Sequence, residues 1–351
     1  MAHYSAVVLT LNNVFILFPP VKGSSSRCFA LFRCFSWLFL AFAAITGGPM
    51  SIIIKDQVFS NVATIHKVIY DVSAMLLFIT NIYLSGVSIL RHRKLSQLLE
   101  DVLVDISNGS TFLINFAAFI LIHLVNTLFI LVTQLERTDN IWYQMTILFV
   151  DGYMTFRVIT GLFIIFLIIN DAKNKLAELN EKLLRSTTAT SIRHWRYRHN
   201  NLCDHLHNIN SLFGVVLLLI IFYFITTFLR HAVFISVHSE ANLVVAVRCL
   251  WIISYGFQAI YLGYMGEQIV KESQKTVAIG YKQICQWSRL KIPDQSSEIF
   301  LLTQQAFNRI TRISAAGFFN VDNSMILFIL TTFFTYFIVV TQLMAGGRKP
   351  T

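Results

Sequence analysis

Along this chain apolar residues run together in stretches of about twenty, and the charged residues gather between those stretches. A helix needs about 20 largely uncharged residues to cross the ~30 Å hydrocarbon layer of a membrane. Counted between Lys, Arg, Asp and Glu, Cys34–Ile54 holds 21 such residues, Val72–Leu90 19, Ile106–Leu135 30, Leu206–Leu229 24 and Asn323–Gly347 25. A run over about 141–170 contains Asp151 and Arg157 but ends in the strongly apolar Gly161–Ile169, and another over about 241–266 encloses Arg248. The pattern predicts seven spans. Ala6–Phe18 is also apolar, but it is short, lacks a basic leader and stops at Pro19-Pro20, which predicts a juxtamembrane helix rather than a cleaved signal peptide. The first full span can direct insertion by itself.

Between the spans the pattern changes to helical stripes. Leu202, Leu206, Ile209 and Phe213 recur at i, i+4, i+7 and i+11 and lead into span five; Val270, Val277 and Ile284 repeat by seven below span six. Ile299, Leu302, Ala306, Ile310 and Ile313 form a third stripe before span seven. Such stripes fit either three helices lying against the membrane or extensions of spans five, six and seven into a cytoplasmic helical bundle.

Charge sets the orientation. Loops facing the cytoplasm carry an excess of Lys and Arg. With the N-terminus inside, 20 of the 28 Lys and Arg fall on the cytoplasmic side, six fall outside, and Arg157 and Arg248 lie within spans. The expected fold is therefore an all-α polytopic membrane protein with a cytoplasmic N-terminus and an extracellular C-terminus. That orientation is the reverse of a G-protein-coupled receptor, and the chain also lacks that class's Asp/Glu-Arg-Tyr and Asn-Pro-x-x-Tyr signatures.

Composition narrows the classes further. The chain is 55% hydrophobic and 13% charged, with a mean hydropathy of +0.62. Soluble domains carry about 45–50% apolar and ~25% charged residues, so soluble, disordered and collagen-like readings fail. A net charge of +10 could suggest nucleic acid, but no basic stripe interleaves with exposed aromatics, and no nucleic-acid partner is expected. The five cysteines are scattered and form neither a disulfide framework nor a metal pair. No nucleophile elbow, phosphate loop, dinucleotide fingerprint or His-Glu-x-x-His is present, so neither enzyme activity nor a cofactor is expected. His199, Cys203 and His207 share one helix face and are the best metal candidate, although a polar juxtamembrane face gives the same spacing.

Ionisable and amide groups inside spans are costly in lipid and usually face a cavity or a partner. Here they are Asp71, His123, Asn126, Asp151, Arg157 and Arg248. Tyr70, Trp251 and Tyr255 lie at similar depth, and aromatic walls with a few polar groups suit a small polar ligand. The candidate ligand residues are Tyr70, Asn126, Asp151, Arg248, Trp251 and Tyr255. Interfacial aromatic belts and internal salt bridges are the alternative account of the same residues. Ala259-x-x-x-Gly263 reads as a close-packing face.

Span seven carries Thr335-Tyr336, five mostly apolar residues, then Gln342. This run resembles the signature of the insect gustatory receptors, with Leu343 where that family continues with Phe. Ala316-Gly317-Phe318-Phe319 before Asp322 resembles the segment preceding the family's last helix, and Leu202-Cys203-Asp204, Ile209-Asn210 and Phe213-Gly214 resemble its entry to span five. The resemblance implies a tastant-gated, non-selective cation channel in the plasma membrane of sensory neurons, assembled with membrane lipid around it as a homotetramer or heterotetramer. The tastant could be a sugar or a bitter compound. It further implies a ligand-binding bundle over 1–270, and cytoplasmic anchor helices with a pore-lining span seven over 271–351. On that last span Phe328, Thr331, Thr335, Ile338 and Gln342 share a face, so Thr331, Thr335, Tyr336, Ile338, Gln342 and Leu343 are the candidate pore and gate residues. The alternatives are an odorant receptor subunit with the same architecture, a secondary transporter (no inverted repeat is visible), and a G-protein-coupled receptor.

Overall fold

The computed structural model describes residues 64–91, 94–95, 97–98, 121, 152–186, 188–237, 242–290 and 293–346. Expected span one, expected span three apart from Leu121, the Ala6–Phe18 segment, His123, Asn126 and Asp151 lie outside the described residues. What is described is almost entirely helical: α1 (Thr64–Leu90), α2 (Tyr153–Arg185), α3 (Ala189–Val237), α4 (Asn242–Leu290), α5 (Pro293–Asn308) and α6 (Asn323–Gly346), with the two-residue strands β1 (Ser314–Ala315) and β2 (Phe319–Asn320) between α5 and α6. By length and composition, α1, α2, α3, α4 and α6 can each cross a membrane.

The helix ends follow local chemistry. Thr188 Oγ1 accepts the amide of Ser191 at 3.3 Å and caps α3, and Asp322 Oδ1 accepts the amide of Ser324 at 2.9 Å and caps α6. Pro293 opens α5, where its missing N–H would have had no partner. At 49 residues each, α3 and α4 run about 74 Å, more than twice the hydrocarbon thickness. The stripes below spans five and six therefore continue the spans themselves. The third stripe does not: α5 stops at Asn308, and a hairpin separates it from α6. Ile310 and Ile313 lie in that connection, not on a helix, which corrects the expected extension of span seven.

Contacts divide the chain into two compact units. The first holds the described residues among 64–164, 218–259 and 327–346. In it, Asn81 Nδ2 donates to the carbonyls of Leu77 and Met154 at 2.9 and 3.2 Å, Arg157 Nη2 donates to Ser85 Oγ at 2.7 Å, and Ser73 and Thr227 hydroxyls meet at 3.3 Å. Lipid tails are as apolar as Leu, so helices in a membrane associate through packing and such bonds, each worth about 0.6 kcal/mol on average. One side of α6 packs through Val340, Phe333, Phe337 and Met344 onto Ile69, Leu229 and Val233.

The second unit holds residues 165–217 and 260–326. Its core gathers Leu183, Ile192, Ile279, Trp287, Ile299 and Leu302. Asn180, fully buried on α2, donates to Glu272 O at 2.8 Å and Glu272 Oε2 at 2.9 Å, and accepts from Thr276 Oγ1 at 2.6 Å. Arg193 on α3 donates twice to Glu298 on α5, at 2.9 and 2.7 Å. Between β1 and β2, Ala316 (φ 55°) and Gly317 (φ 80°) take the paired left-handed conformation of a type I′ turn, closed by Phe318 N to Ala315 O at 3.0 Å. The segment after β2 lies directly on α4: a Cβ built at Gly266 would meet the Val321 carbonyl oxygen at 1.6 Å. Only glycine fits there.

Candidate functional site

In the first unit, α3 presents Tyr223, Thr227, His231 and Phe234 at helical spacing, and α4 presents Arg248, Trp251 and Tyr255. The rings form a continuous stack. His231 lies 6.0 Å from Trp251 at an interplanar angle of 23°, Trp251 lies 5.2 Å from Tyr255 at 29°, and the hydroxyls of Tyr255 and Tyr223 meet at 3.2 Å. His231 and Tyr255 are buried, at 0% and 1% exposure, and Trp251 at 6%. Two guanidiniums approach the imidazole from opposite sides: Arg248 Nη1 is 3.2 Å from Nδ1, and Arg230 Nη2 is 3.4 Å from Nε2. The guanidinium of Arg230 also sits 5.3 Å above the Tyr70 ring, and that of Arg248 sits 3.9 Å from the Phe234 ring.

Of the six ligand residues expected from sequence, Tyr70, Arg248, Trp251 and Tyr255 are described, and all four join this one chain of contacts. Arg230, His231 and Tyr223, which link them, were not anticipated. The signal existed as the spacing of Tyr223, Thr227 and His231, a polar stripe of i, i+4 and i+8 through the apolar run of α3.

The face of α6 opposite its packed side is open. Thr331, Thr335, Tyr336, Ile338, Gln342 and Leu343 are all exposed, with Ile338 at 52% and Leu343 at 59%. Thr335 Oγ1 donates to the carbonyl of Thr331 at 2.8 Å, which satisfies its proton locally. Only 17% of the apolar stretch of α6 is buried, against 78% for α2.

The suggested metal face is otherwise engaged. His199 is buried while His207 is exposed. His199 Nδ1 faces Gln305 Nε2 at 3.2 Å, and Cys203 Sγ contacts the carbonyl of Arg309 at 3.7 Å. Both residues precede the apolar run of span five. Burial, with the nearby charge of Arg309, lowers the His199 pKa from 6.5 to about 4, and burial pushes the Cys203 thiol up to about 11. A thiol held protonated is a poor ligand. Among the described residues no three His, Cys, Asp or Glu side chains gather as a metal site.

The sequence model of the 7tm chemosensory receptors matches residues 6–343. The chain belongs to the chemosensory receptor family. This receptor also shares its fold with two solved structures of the olfactory receptor OR5 from the insect Machilis hrabei. The structure with eugenol has a TM-score of 0.74 and 12% identity over 96% of this chain and 98% of the other. The second OR5 structure has a TM-score of 0.73 and 13% identity over 97% and 99%. No curated protein sequence matches the receptor. It is a multi-pass membrane protein whose described part is a set of long apolar helices.

Proposed function

We propose that this receptor is a gustatory, tastant-gated, non-selective cation channel of the plasma membrane of sensory neurons. Four related subunits surround a central pore, with the N-terminus of each inside the cell and its C-terminus outside. Residues before about 270 capture the ligand. Residues 271–351 anchor the assembly and supply α6 to the pore.

The observation that carries this reading is the open face of α6. A helix meant only for lipid gains nothing from Thr331, Thr335 and Gln342 on its exposed side. Four copies around an axis would instead make rings of hydroxyl and amide, with Ile338 as an apolar ring able to stop hydrated ions by dewetting. Ligand favours the open pore by its differential affinity for that state. The Tyr70, Arg248, Trp251 and Tyr255 cluster is the proposed capture site, joined by Asn126 and Asp151. The gustatory subtype rests on Thr335-Tyr336 and Gln342.

Purified receptor alone in a planar bilayer should pass cation current when a sugar or bitter compound is added. Trp251→Ala should raise the half-activating concentration about tenfold, as loss of a central aromatic contact does, while leaving maximal current unchanged. A transporter or a G-protein-coupled receptor gives no such current. Eugenol, the ligand named with the Machilis hrabei structure, belongs in the panel: a response to it and to no sugar or bitter compound would assign the odorant subtype.

A further inference from the structure

The hairpin between α5 and α6 sits where three helices change from polar to apolar. On α3 the unbroken apolar run begins at Leu212, on α4 the charge-free stretch 249–266 ends at Glu267, and α6 opens just after Asp322. Asn210 holds the Ser314 amide and the Arg312 carbonyl at 3.0 and 2.7 Å, while Gly214, about 6 Å further along α3, lies against Ala316. On the other strand Val321 rests on Gly266, the last residue of the charge-free stretch of α4. The open end of the hairpin is thus on the polar side of the switch, and its tip reaches the apolar side.

Pairing of Ser314 with Asn320 and of Ala315 with Phe319 gives the hairpin two faces. Ile313, Ala315 and Val321 lie on one face and are buried. Arg312 and Phe318 fall on the other, and both are exposed, Phe318 at 78%. The tip that carries the ring is fixed: Ser314 Oγ accepts the Gly317 amide at 2.9 Å, and the Phe318 amide donates to the Ala315 carbonyl at 3.0 Å. Among the described residues the Arg312 side chain makes no hydrogen bond or ion pair. A ring on the apolar side of a membrane boundary and a guanidinium on its polar side are matched by one molecule. Acyl chains cover the ring, and phosphate oxygens accept from the guanidinium.

We propose that the outward face of this hairpin is a docking surface for an anionic phospholipid. Phe318 enters the edge of the acyl layer, and Arg312 holds the headgroup phosphate. The leaflet is the cytoplasmic one under the orientation proposed above. The lipid contact itself rests on the membrane-spanning helices and not on the channel reading.

The test places p-benzoylphenylalanine at position 318 of the full-length receptor, in nanodiscs of equal parts phosphatidylcholine and phosphatidylglycerol. After irradiation, mass spectrometry of the peptide carrying residue 318 should find phospholipid adducts. Phosphatidylglycerol should exceed phosphatidylcholine about fivefold, as one Arg at an anionic surface gives. Arg312→Gln should abolish that preference while keeping the adducts, and Arg312→Lys should retain most of it. A crosslink to a second receptor copy as the main product makes this face a subunit interface and overturns the proposal. Folded receptor without adduct, equal labelling by both lipids, or a preference that survives Arg312→Gln also overturns it. The natural Phe318 chain gives a second reading. It should melt higher in phosphatidylglycerol than in phosphatidylcholine nanodiscs, and Arg312→Gln should narrow that difference; a difference that Arg312→Gln leaves unchanged counts against the docking surface.

Discussion

Asn210 Oδ1 on α3 accepts the amide hydrogen of Ser314 at 3.0 Å while its Nδ2 donates to the carbonyl of Arg312 at 2.7 Å. One side chain thus does for the incoming strand what a neighbouring strand would do. Cys203 touches the carbonyl of Arg309, Asp204 pairs with the Arg309 side chain at 2.8 Å, and a Cβ at Gly214 would lie 2.9 Å from the Ala316 nitrogen. Two of the three sequence motifs that resemble the family, one entering span five and one preceding span seven, are therefore opposite sides of one contact.

Removing that amide should be costly. Asn210→Ala strands two backbone groups and should lower stability by about 2 kcal/mol. Asn210→Asp keeps the acceptor for Ser314 but loses the donor to Arg312, and should fall between the natural protein and the alanine variant. Thermal melting of the purified receptor, followed by size exclusion, orders the three.

Stability should also depend on pH through His199. Its pKa drops on folding, so between 6.5 and about 4 the unfolded chain binds a proton that the folded chain does not. Stability is then greatest above pH 6.5 and falls as the pH is lowered towards 4, by about 3 kcal/mol for a shift of this size. His199→Gln should flatten the melting temperature across that window. A profile identical to that of the natural protein would remove His199 as the cause.

The open face of α6 predicts a pattern of access. Cysteines placed at 338 and 342 should react with water-soluble thiol reagents faster when ligand is present. Gln342→Ala should change relative ion permeability about fivefold, the factor that loss of ~1 kcal/mol of ion–amide interaction corresponds to. Ile338→Ala should raise the current seen without ligand. Two inert cysteines in the open state, together with two normally conducting alanine variants, would place this face in lipid.

Topology has its own reporter. Asn108-Gly109-Ser110 is the one glycosylation sequon in the chain. With the N-terminus inside, it lies in a cytoplasmic loop and stays unmodified. A glycosidase-sensitive mass shift that vanishes in Asn108→Gln would invert the orientation.

Much of this architecture was legible in hydropathy, because apolar runs of span length have few other uses. The polar half of α2 was harder to read. Asp171, Lys175, Glu178, Glu181, Lys182 and Arg185 suggest a charged loop, yet they pair at i, i+4 along one side of the helix while Ala172, Leu176, Leu179 and Leu183 are buried on the other. On α4 the stripe of Val270, Val277 and Ile284 is only half-buried. The buried side is Ile269, Ser273, Thr276, Gln283 and Trp287, largely polar because Asn180 and the Leu183 carbonyl take up its hydrogen bonds. Such partners lie about 100 residues away in sequence, where no periodicity can point to them. The proposed capture site was half legible for the same reason: Arg248, Trp251 and Tyr255 stand out on one helix, but the imidazole that joins them belongs to another.

Gly266 leaves no room for drift. Every single-nucleotide change that replaces a glycine installs a Cβ, and here that atom would stand 1.6 Å from the Val321 carbonyl oxygen, on backbone that cannot rotate aside. Gly256, ten residues earlier on the same helix, has nothing within 4 Å, and alanine there should be neutral or slightly favourable. Inherited variation in this gene should therefore accumulate at codon 256 and be purged at codon 266, where any replacement leaves the chain unable to close α4 against the segment after β2.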